Sequence, residues 1–326
     1  MNPQPVAPTT PTKFDALLKL NPFWWLLFIA ALNVALPFLP ISNLIVAIAS
    51  NIVLTLVYVG AVVLFALGIA HREWSLPLTI AAFVISIVAW LAVQNGLLPL
   101  VAGGLQRGVK LSTIEILELT SAVTAQDMAL LCAAMFGGVS LSRMIRTPNM
   151  LGPIGGIIAV IDIWGVLFGG PVSKIMASEA AKPVTQAAMT SGPQIGAVGA
   201  ARPEFAIPLP QIGVGDFLFL ALLLGIIVIH RMNWRTPAWT IWLLVSGALL
   251  SITFLPFFPA LPGLLFIGAG AVLPNLKYFT YTRDEKFALL WAGVLVLVMT
   301  VGIHFGLRHM LANLDDKPAA NAVAPK

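Results

Sequence analysis

The sequence contains few charged residues. Only 10% of its 326 residues are Asp, Glu, Lys or Arg, whereas 59% are hydrophobic. Soluble domains carry about 25% charged residues, and several apolar runs of this chain reach the ~20 residues that a spanning helix needs. The composition therefore excludes an ordinary soluble domain. It predicts an all-α, polytopic bundle of transmembrane helices in a lipid bilayer.

Cysteine is almost absent, and several catalytic motifs are missing. The single Cys132 excludes an internal disulfide and a thiolate metal cluster. No HExxH sequence is present, which argues against a zinc protease. Ser140 lies in GGVSLSR, but no matching histidine accompanies it, so a rhomboid-type serine protease is not indicated.

Acidic residues are fewer than basic ones, which gives a net charge of +5. The Lys and Arg residues lie in short connections between hydrophobic runs, as the positive-inside rule describes, and no basic–aromatic cluster indicates nucleic acid. Four connections, at 71–73, 143–146, 231–235 and 277–286, are expected on one side, which is predicted to be cytoplasmic. The long loop 170–211 is then expected on the other side.

Charges, prolines and polar clusters separate the hydrophobic runs into nine predicted spans. Their bounds are 23–48, 51–71, 76–102, 125–145, 150–169, 212–231, 237–256, 259–276 and 287–309. Pro37 and Pro40 either split the first helix or mark a turn. Residues 111–124 form either an interfacial helix or the start of the fourth span. Residues 1–21 are expected to be a disordered or interfacial tail, and residues 312–326 a disordered tail.

Two aspartates stand alone within uncharged apolar stretches. Asp162 lies in GGIIAVIDIWGVLFGG, in the middle of a predicted span, and Asp216 lies in PQIGVGDFLFLALLLG, near the start of the next. A carboxylate at the centre of a membrane helix costs about 2.5–3.5 kcal/mol on insertion scales and is functional by default. The two residues predict one buried site, which fits a protease, a pump or a channel.

Gly213 and Gly215 precede Asp216 in a GxGD motif. Glycine has no side chain, so another backbone can approach closely here, which suits a peptide substrate. The alternative is a structural role, because Gly and Asp are both common at the starts of helices.

Pro259, Ala260 and Leu261 form a third element. Pro259 and Pro262 flank Ala-Leu and block regular helix at the mouth of a short apolar segment. Irregular backbone at membrane depth is tolerated where it is buried in protein or lines a wet cavity. The alternative is a plain turn between helices.

In this order, the three elements resemble the presenilin and signal peptide peptidase family of GxGD intramembrane aspartyl proteases. The resemblance covers residues 150–276. Residues 161–168 are similar to the Tyr-Asp segment of the signal peptide peptidase branch, but Ile161 stands where the family usually has tyrosine. Residues 255–262 are more similar to presenilin.

The resemblance implies an intramembrane aspartic endopeptidase that needs no cofactor. Its substrates would be transmembrane helical peptides, such as membrane stubs or signal peptides. Asp162 and Asp216 would be the catalytic dyad, and Gly213, Gly215 and residues 259–261 would position the substrate. Two carboxylates in a low-dielectric site share one proton, so one member activates water while the other donates to the scissile carbonyl.

The family resemblance also implies three regions of the chain. Residues 22–149 would hold amino-terminal helices, residues 150–276 the catalytic core, and residues 277–311 the last helix. The short loops and tails favour a prokaryotic plasma membrane over an organelle.

The sequence leaves open two other functions, a second polar site and the conformation of one loop segment. A transporter could use the two aspartates as proton or cation sites. A prepilin-type peptidase also has GxGD, but its aspartates normally lie near the cytoplasmic face and it lacks the Pro-Ala-Leu element. Glu115, Glu118 and Asp127 could form a second polar site near the membrane surface. Residues 203–211 are either extended, ready for strand addition by a substrate, or a plain linker.

Overall fold

The structure is a computed structural model that describes residues 21–104, 112–167, 189–190, 192–196, 211–255, 261–295, 298–299 and 302. Nine helices carry residue names at both ends: α1 Pro22–Ala35, α2 Leu44–Ala70, α3 Leu76–Ala92, α4 Leu98–Gly104, α5 Thr113–Ser142, α6 Leu151–Leu167, α7 Val214–Ile229, α8 Arg235–Phe254 and α9 Gly263–Val272. Residues 283–295 are also helical and are called α10. Two short strands, β1 Met189–Thr190 and β2 Ile212–Gly213, pair antiparallel.

Within the described residues, this all-helical architecture confirms the predicted fold class. Five helical segments are long and apolar enough to cross a membrane: Leu44–Ala70, Leu76–Gly103, Thr113–Ser142, Pro148–Val166 and Arg235–Phe254. Segments Pro22–Phe38 and Val214–Ile229 are apolar but shorter. The chain is therefore a membrane protein by the length and composition of its helices, and the count of nine spans stays a prediction.

The predicted division of the first two spans is wrong. α1 ends at Ala35, a short 3₁₀ turn follows at Leu36–Phe38, and α2 begins at Leu44. The Asn43 side chain accepts a hydrogen bond from the Val46 N–H at 2.9 Å and so caps α2. The first span therefore does not run to residue 48, because the prolines and this polar cap start a new helix several residues earlier.

Residues 113–124 are the beginning of a 30-residue helix, α5, which resolves the open alternative. Ser112 and Glu115 form a capping box, in which each side chain bonds the backbone N–H of the other residue. Glu118 is exposed, whereas Asp127 is 5% exposed. The three acids therefore do not form one site near the membrane surface, since they lie along three turns of a helix and only Asp127 is enclosed by protein.

The basic connections after α2, α5 and α7 lie at one end of the bundle. Arg143 donates from Nη2 to the Arg72 carbonyl oxygen at 3.1 Å, and His230 Nε2 lies 3.2 Å from the Ile145 carbonyl oxygen. The sequence prediction that these connections share a side is consistent with these contacts.

α7 is the central helix, and residues 220–227 are all buried. A helix that is apolar on every face is expected to be enclosed by others, and α7 contacts α2, α5, α6 and α9. Its closest approach is to α5: a methyl group built on Gly138 would overlap the Leu218 carbonyl oxygen and lie 2.8 Å from Ala221 Cβ. Small residues allow such close contact between membrane helices.

Replacing Gly138 by alanine is therefore expected to destabilise the bundle by about 1–3 kcal/mol, because the methyl group forces α5 and α7 apart. Gly247→Ala is the matched control in α8, where a methyl group would have no described atom within 4 Å. Alanine should favour that helix by up to about 1 kcal/mol. Thermal unfolding in detergent, followed by circular dichroism, measures both changes; equal effects of the two variants would contradict the packing argument.

Candidate active site

Asp162 caps the amino-terminal end of a distant helix. α9 follows Pro262, and no side chain at its own N-cap position accepts a hydrogen bond. The Leu264 backbone N–H donates to Asp162 Oδ2 at 2.7 Å, and the Leu265 N–H also bonds this carboxylate. The first turn of a helix has unpaired N–H groups and a partial positive charge, so it stabilises a carboxylate. The start of α9 thus stabilises the Asp162 carboxylate, and the carboxylate supplies the acceptor that the first N–H groups of α9 lack.

Asp162 lies on α6, whose described residues run from Leu151 to Leu167. Its carboxylate is level with the start of α9, where it bonds the Leu264 N–H. Ile161, which precedes Asp162, is 49% exposed and so points away from the packed interior.

Asp216 is the third residue of α7, and Gly213 is the N-cap. The Gly213 backbone N–H bonds the Asp216 carboxylate, which is half of a capping box. The GxGD motif therefore does start a helix. The carboxylate also faces α9, because a methyl group built on Gly263 would lie 3.3 Å from Asp216 Oδ1.

The first turn of α9 brings the two aspartates together. Asp216 lies against Gly263, and Asp162 accepts a hydrogen bond from the next residue, Leu264. The two carboxylates interact electrostatically, and both residues are partly buried. Two like charges in a low-dielectric site resist ionising together, so a shared proton is the expected state of the pair.

The two motif glycines have different surroundings. A methyl group on Gly213 would lie 3.7 Å from Asp216 Oδ2, whereas a methyl group on Gly215 would have no described atom within 4 Å. Gly213 is thus next to the carboxylate, and no described residue fills the space where a side chain of Gly215 would lie. The expectation that a substrate backbone approaches the acid beside these glycines stays a prediction.

A cavity of about 110 Å³ lies beside Asp216, between α2, α7, α8 and α9. Its walls are apolar apart from Tyr58, Gln211 and Asp216. Leu261 and Gly263 also line it, so the described end of the Pro-Ala-Leu element faces the same space as the carboxylate. Pro259 and Ala260 lie outside the described residues, and their positioning roles stay predictions.

The backbone immediately before α7 is extended. In the β pair, Met189 is opposite Gly213 and Thr190 is opposite Ile212, and the Thr190 hydroxyl donates to the Ile212 carbonyl oxygen at 3.3 Å. The long loop between the aspartates therefore returns one strand to the GxGD motif. Residues 203–210 lie outside the described residues, so their extended conformation stays a prediction.

Sequence reasoning missed a buried polar network that reaches this strand. Tyr58 is 2% exposed and lines the cavity next to Asp216. Its hydroxyl is hydrogen-bonded to the Thr190 side chain and lies within electrostatic reach of Asp127. Because the Thr190 hydroxyl donates its proton to Ile212, it accepts from Tyr58. Only the apolar surroundings of Asp127 in the sequence could have drawn attention to this network.

Comparisons with known proteins give no relative: no protein-family model, curated protein or solved structure matches the chain. Within the described part of the chain, no group of three or more His, Cys, Asp or Glu side chains gathers as a metal site. The interpretation of the site therefore depends on its own residues and geometry.

Asp162→Ala is expected to lower stability by about 1–2 kcal/mol, because two N–H groups of α9 lose their acceptor. Asp162→Asn should lose less, since its amide oxygen can still accept from Leu264. Asp284→Ala, which removes an exposed acid, is the control and should be neutral. Thermal unfolding in detergent measures all three. An asparagine variant as unstable as the alanine variant would disprove the capping role.

Tyr58→Phe is expected to weaken the β pair, because it removes the phenol that is hydrogen-bonded to the buried Thr190 side chain. The expected loss of stability is about 1–3 kcal/mol. Tyr278→Phe removes a hydroxyl from a partly buried ring at the other end of α7 and is the control. Amide hydrogen exchange at residues 189–190 and 212–213 should rise in the first variant alone; unchanged exchange there would show that the network does not hold the strand.

Proposed function

We propose that this chain is an intramembrane aspartic endopeptidase of the GxGD type, related to presenilin and signal peptide peptidase. The observation that carries the proposal is the shared contact of two carboxylates with the first turn of α9: Asp162 accepts from the Leu264 N–H, and Asp216 lies against Gly263. The Pro-Ala-Leu element ends at Leu261, directly before this turn. All three sequence elements thus contribute to one proposed site.

In the proposed mechanism, Asp162 and Asp216 share one proton and act on a water molecule. The ionised carboxylate removes a proton from the water as the oxygen attacks the scissile carbonyl carbon. The protonated carboxyl donates its proton to the carbonyl oxygen, which gives a tetrahedral gem-diol without a covalent intermediate. Collapse of the gem-diol returns a proton to the leaving amine. The reaction needs no cofactor.

The proposed substrate is a transmembrane helical peptide that unwinds beside the pair. Its backbone would pass the open space at Gly215, and an apolar side chain would enter the cavity lined by Leu261 and Phe217. Gly263 supports this placement, because any larger residue would crowd the Asp216 carboxylate. Membrane stubs and signal peptides have the required apolar character.

A transporter that holds a cation between the two aspartates is less well supported. The described groups that bond Asp162 are the backbone N–H donors of Leu264 and Leu265 at a helix amino terminus, and this end of a helix repels cations. A cation site would instead need carbonyl or hydroxyl oxygens around the carboxylates. The prepilin-type alternative lacks a Pro-Ala-Leu element, so it does not account for the position of Leu261 beside Asp216.

The proposal extends to the membrane arrangement. The five long segments would account for five spans. Four shorter or tilted segments, α1, α7, α9 and α10, would bring the number to nine. The basic end of the bundle would face the cytoplasm of a prokaryotic plasma membrane. Asp162 and Asp216 would then lie nearer the opposite side.

The test is cleavage of a model transmembrane peptide by purified protein in detergent or nanodiscs. Asp162→Asn and Asp216→Asn should each lower the rate at least about 10²-fold, the lower range for loss of a general acid or base. The asparagine variants are chosen because they keep hydrogen-bond acceptors for α7 and α9. Asp284→Ala should cleave at the wild-type rate.

Two outcomes would reject the proposal. Wild-type cleavage that survives either asparagine substitution would show that the pair is not catalytic. Absence of cleavage by wild type, together with a proton flux into proteoliposomes that both substitutions abolish, would favour the transporter.

A further inference from the structure

A basic cavity of about 570 Å³ lies at the end of α7 that is remote from Asp216. The ends of α2, α7 and α8 and the 3₁₀ segment Leu273–Tyr278 contribute its walls. Arg231, Arg235 and Lys277 line it together with His71, and no aspartate or glutamate is among the described residues of the lining. The described lining therefore carries three basic side chains.

Arg231 occupies a position where glycine is usual. Its φ is 53°, the one positive φ of a non-glycine residue within the described chain. The Met232 N–H donates to the Ile227 carbonyl oxygen at 2.9 Å, so the turn is a Schellman-type end of α7 with Arg231 at the left-handed position. Residues in strained backbone conformations cluster at functional sites, which draws attention to this side chain.

Aromatic rings accompany the basic groups. The Arg235 guanidinium carbon lies 5.5 Å from the centre of the Trp234 ring, and Lys277 Nζ lies 5.3 Å from the centre of the Tyr278 ring. Tryptophan and tyrosine are enriched at the level of lipid headgroups. The cavity thus combines basic and aromatic groups at the end of a bundle of apolar helices.

An apolar groove of about 360 Å³ continues from the same two helices. Gly60, Leu64 and other residues of α2 line it together with Ala238, Trp239 and Trp242 of α8. On α8, Ala238 and Trp239 of the groove lie one turn after Arg235 of the cavity. On α2, Leu64 of the groove lies two turns before His71 of the cavity. Each helix therefore presents one face to both the cavity and the groove. The polar cavity and the apolar groove are therefore adjacent along one side of the bundle.

We propose that this cavity and groove together bind an anionic phospholipid, with the phosphate in the basic cavity and an acyl chain in the groove. The groove extends along α2 from Leu64 to Leu56, which is roughly 10–22 Å from His71 at 1.5 Å per residue. This depth matches one leaflet of a bilayer whose hydrocarbon is about 30 Å thick. A soluble phosphate ester would satisfy the basic groups but not the groove.

The test uses the full-length protein in nanodiscs with spin-labelled phosphatidylglycerol or phosphatidylcholine, and electron paramagnetic resonance measures the fraction of immobilised lipid. Wild type should prefer phosphatidylglycerol by about fivefold or more, since each nearby basic residue attracts anionic lipid to about that degree. The cavity variant, Arg231→Gly with Arg235→Gln and Lys277→Gln, should prefer it by less than about twofold.

The control variant also removes two arginines and one lysine, but at positions outside the cavity. Arg146, Arg283 and Lys286 are exposed and do not line the cavity, so their replacement by glutamine should leave the preference unchanged. Equal loss in both variants would show that net charge alone attracts the lipid. A preference that survives in the cavity variant would also overturn the proposal.

Two further measurements separate lipid binding from misfolding and from a soluble ligand. Arg231→Gly alone should unfold at the same or a higher temperature in zwitterionic detergent, because glycine relieves the positive φ, while its lipid preference falls. Inorganic phosphate and glycerol 3-phosphate should not protect the wild-type protein as phosphatidylglycerol does. If either one gives equal thermal protection, the cavity is a site for a soluble phosphate rather than for a lipid.

Discussion

A carboxylate inside an apolar bundle needs hydrogen-bond donors, and a helix that starts without a cap needs an acceptor. Asp162 and the first turn of α9 meet both needs through the Leu264 N–H. Because the acid belongs to α6, this bond fixes where α9 begins relative to α6. Gly263, the residue before Leu264, lies beside Asp216, so the same turn of α9 contacts both acids.

Small residues permit the helix contacts on which that bond depends. A methyl group on Gly268 of α9 would lie 3.0 Å from the Gly155 carbonyl oxygen of α6, and one on Gly155 would lie 2.6 Å from Val272 Cγ2. The two helices therefore pack almost backbone to backbone, two turns from Asp162. Between membrane helices, where hydrophobic attraction is weak, close van der Waals contact of this kind provides much of the association energy.

Local features of the sequence predicted the parts of the site that local chemistry controls. The glycines before Asp216 indicated a helix start, and the isolated acids indicated a buried pair, because each signal lies within a few residues. The network of Asp127, Tyr58 and Thr190 was not predictable in this way, since it joins three segments far apart in the chain. The start of α2 at Leu44 was misjudged because hydrophobicity continues across the cap residue Asn43.

The charges at the two ends of α7 give the bundle an electrostatic direction. Asp216 lies in the first turn, where the helix dipole favours an acid, and the basic residues Arg231 and Arg235 follow its last turn, where the dipole favours a base. Each charge therefore stabilises the helix that positions it. In the proposed membrane arrangement, the same polarity would keep the basic end in the headgroup region of one leaflet and the carboxylates away from it. Anchoring of that end by lipid would set the depth of Asp216, and hence the point along a spanning peptide that the carboxylate pair meets.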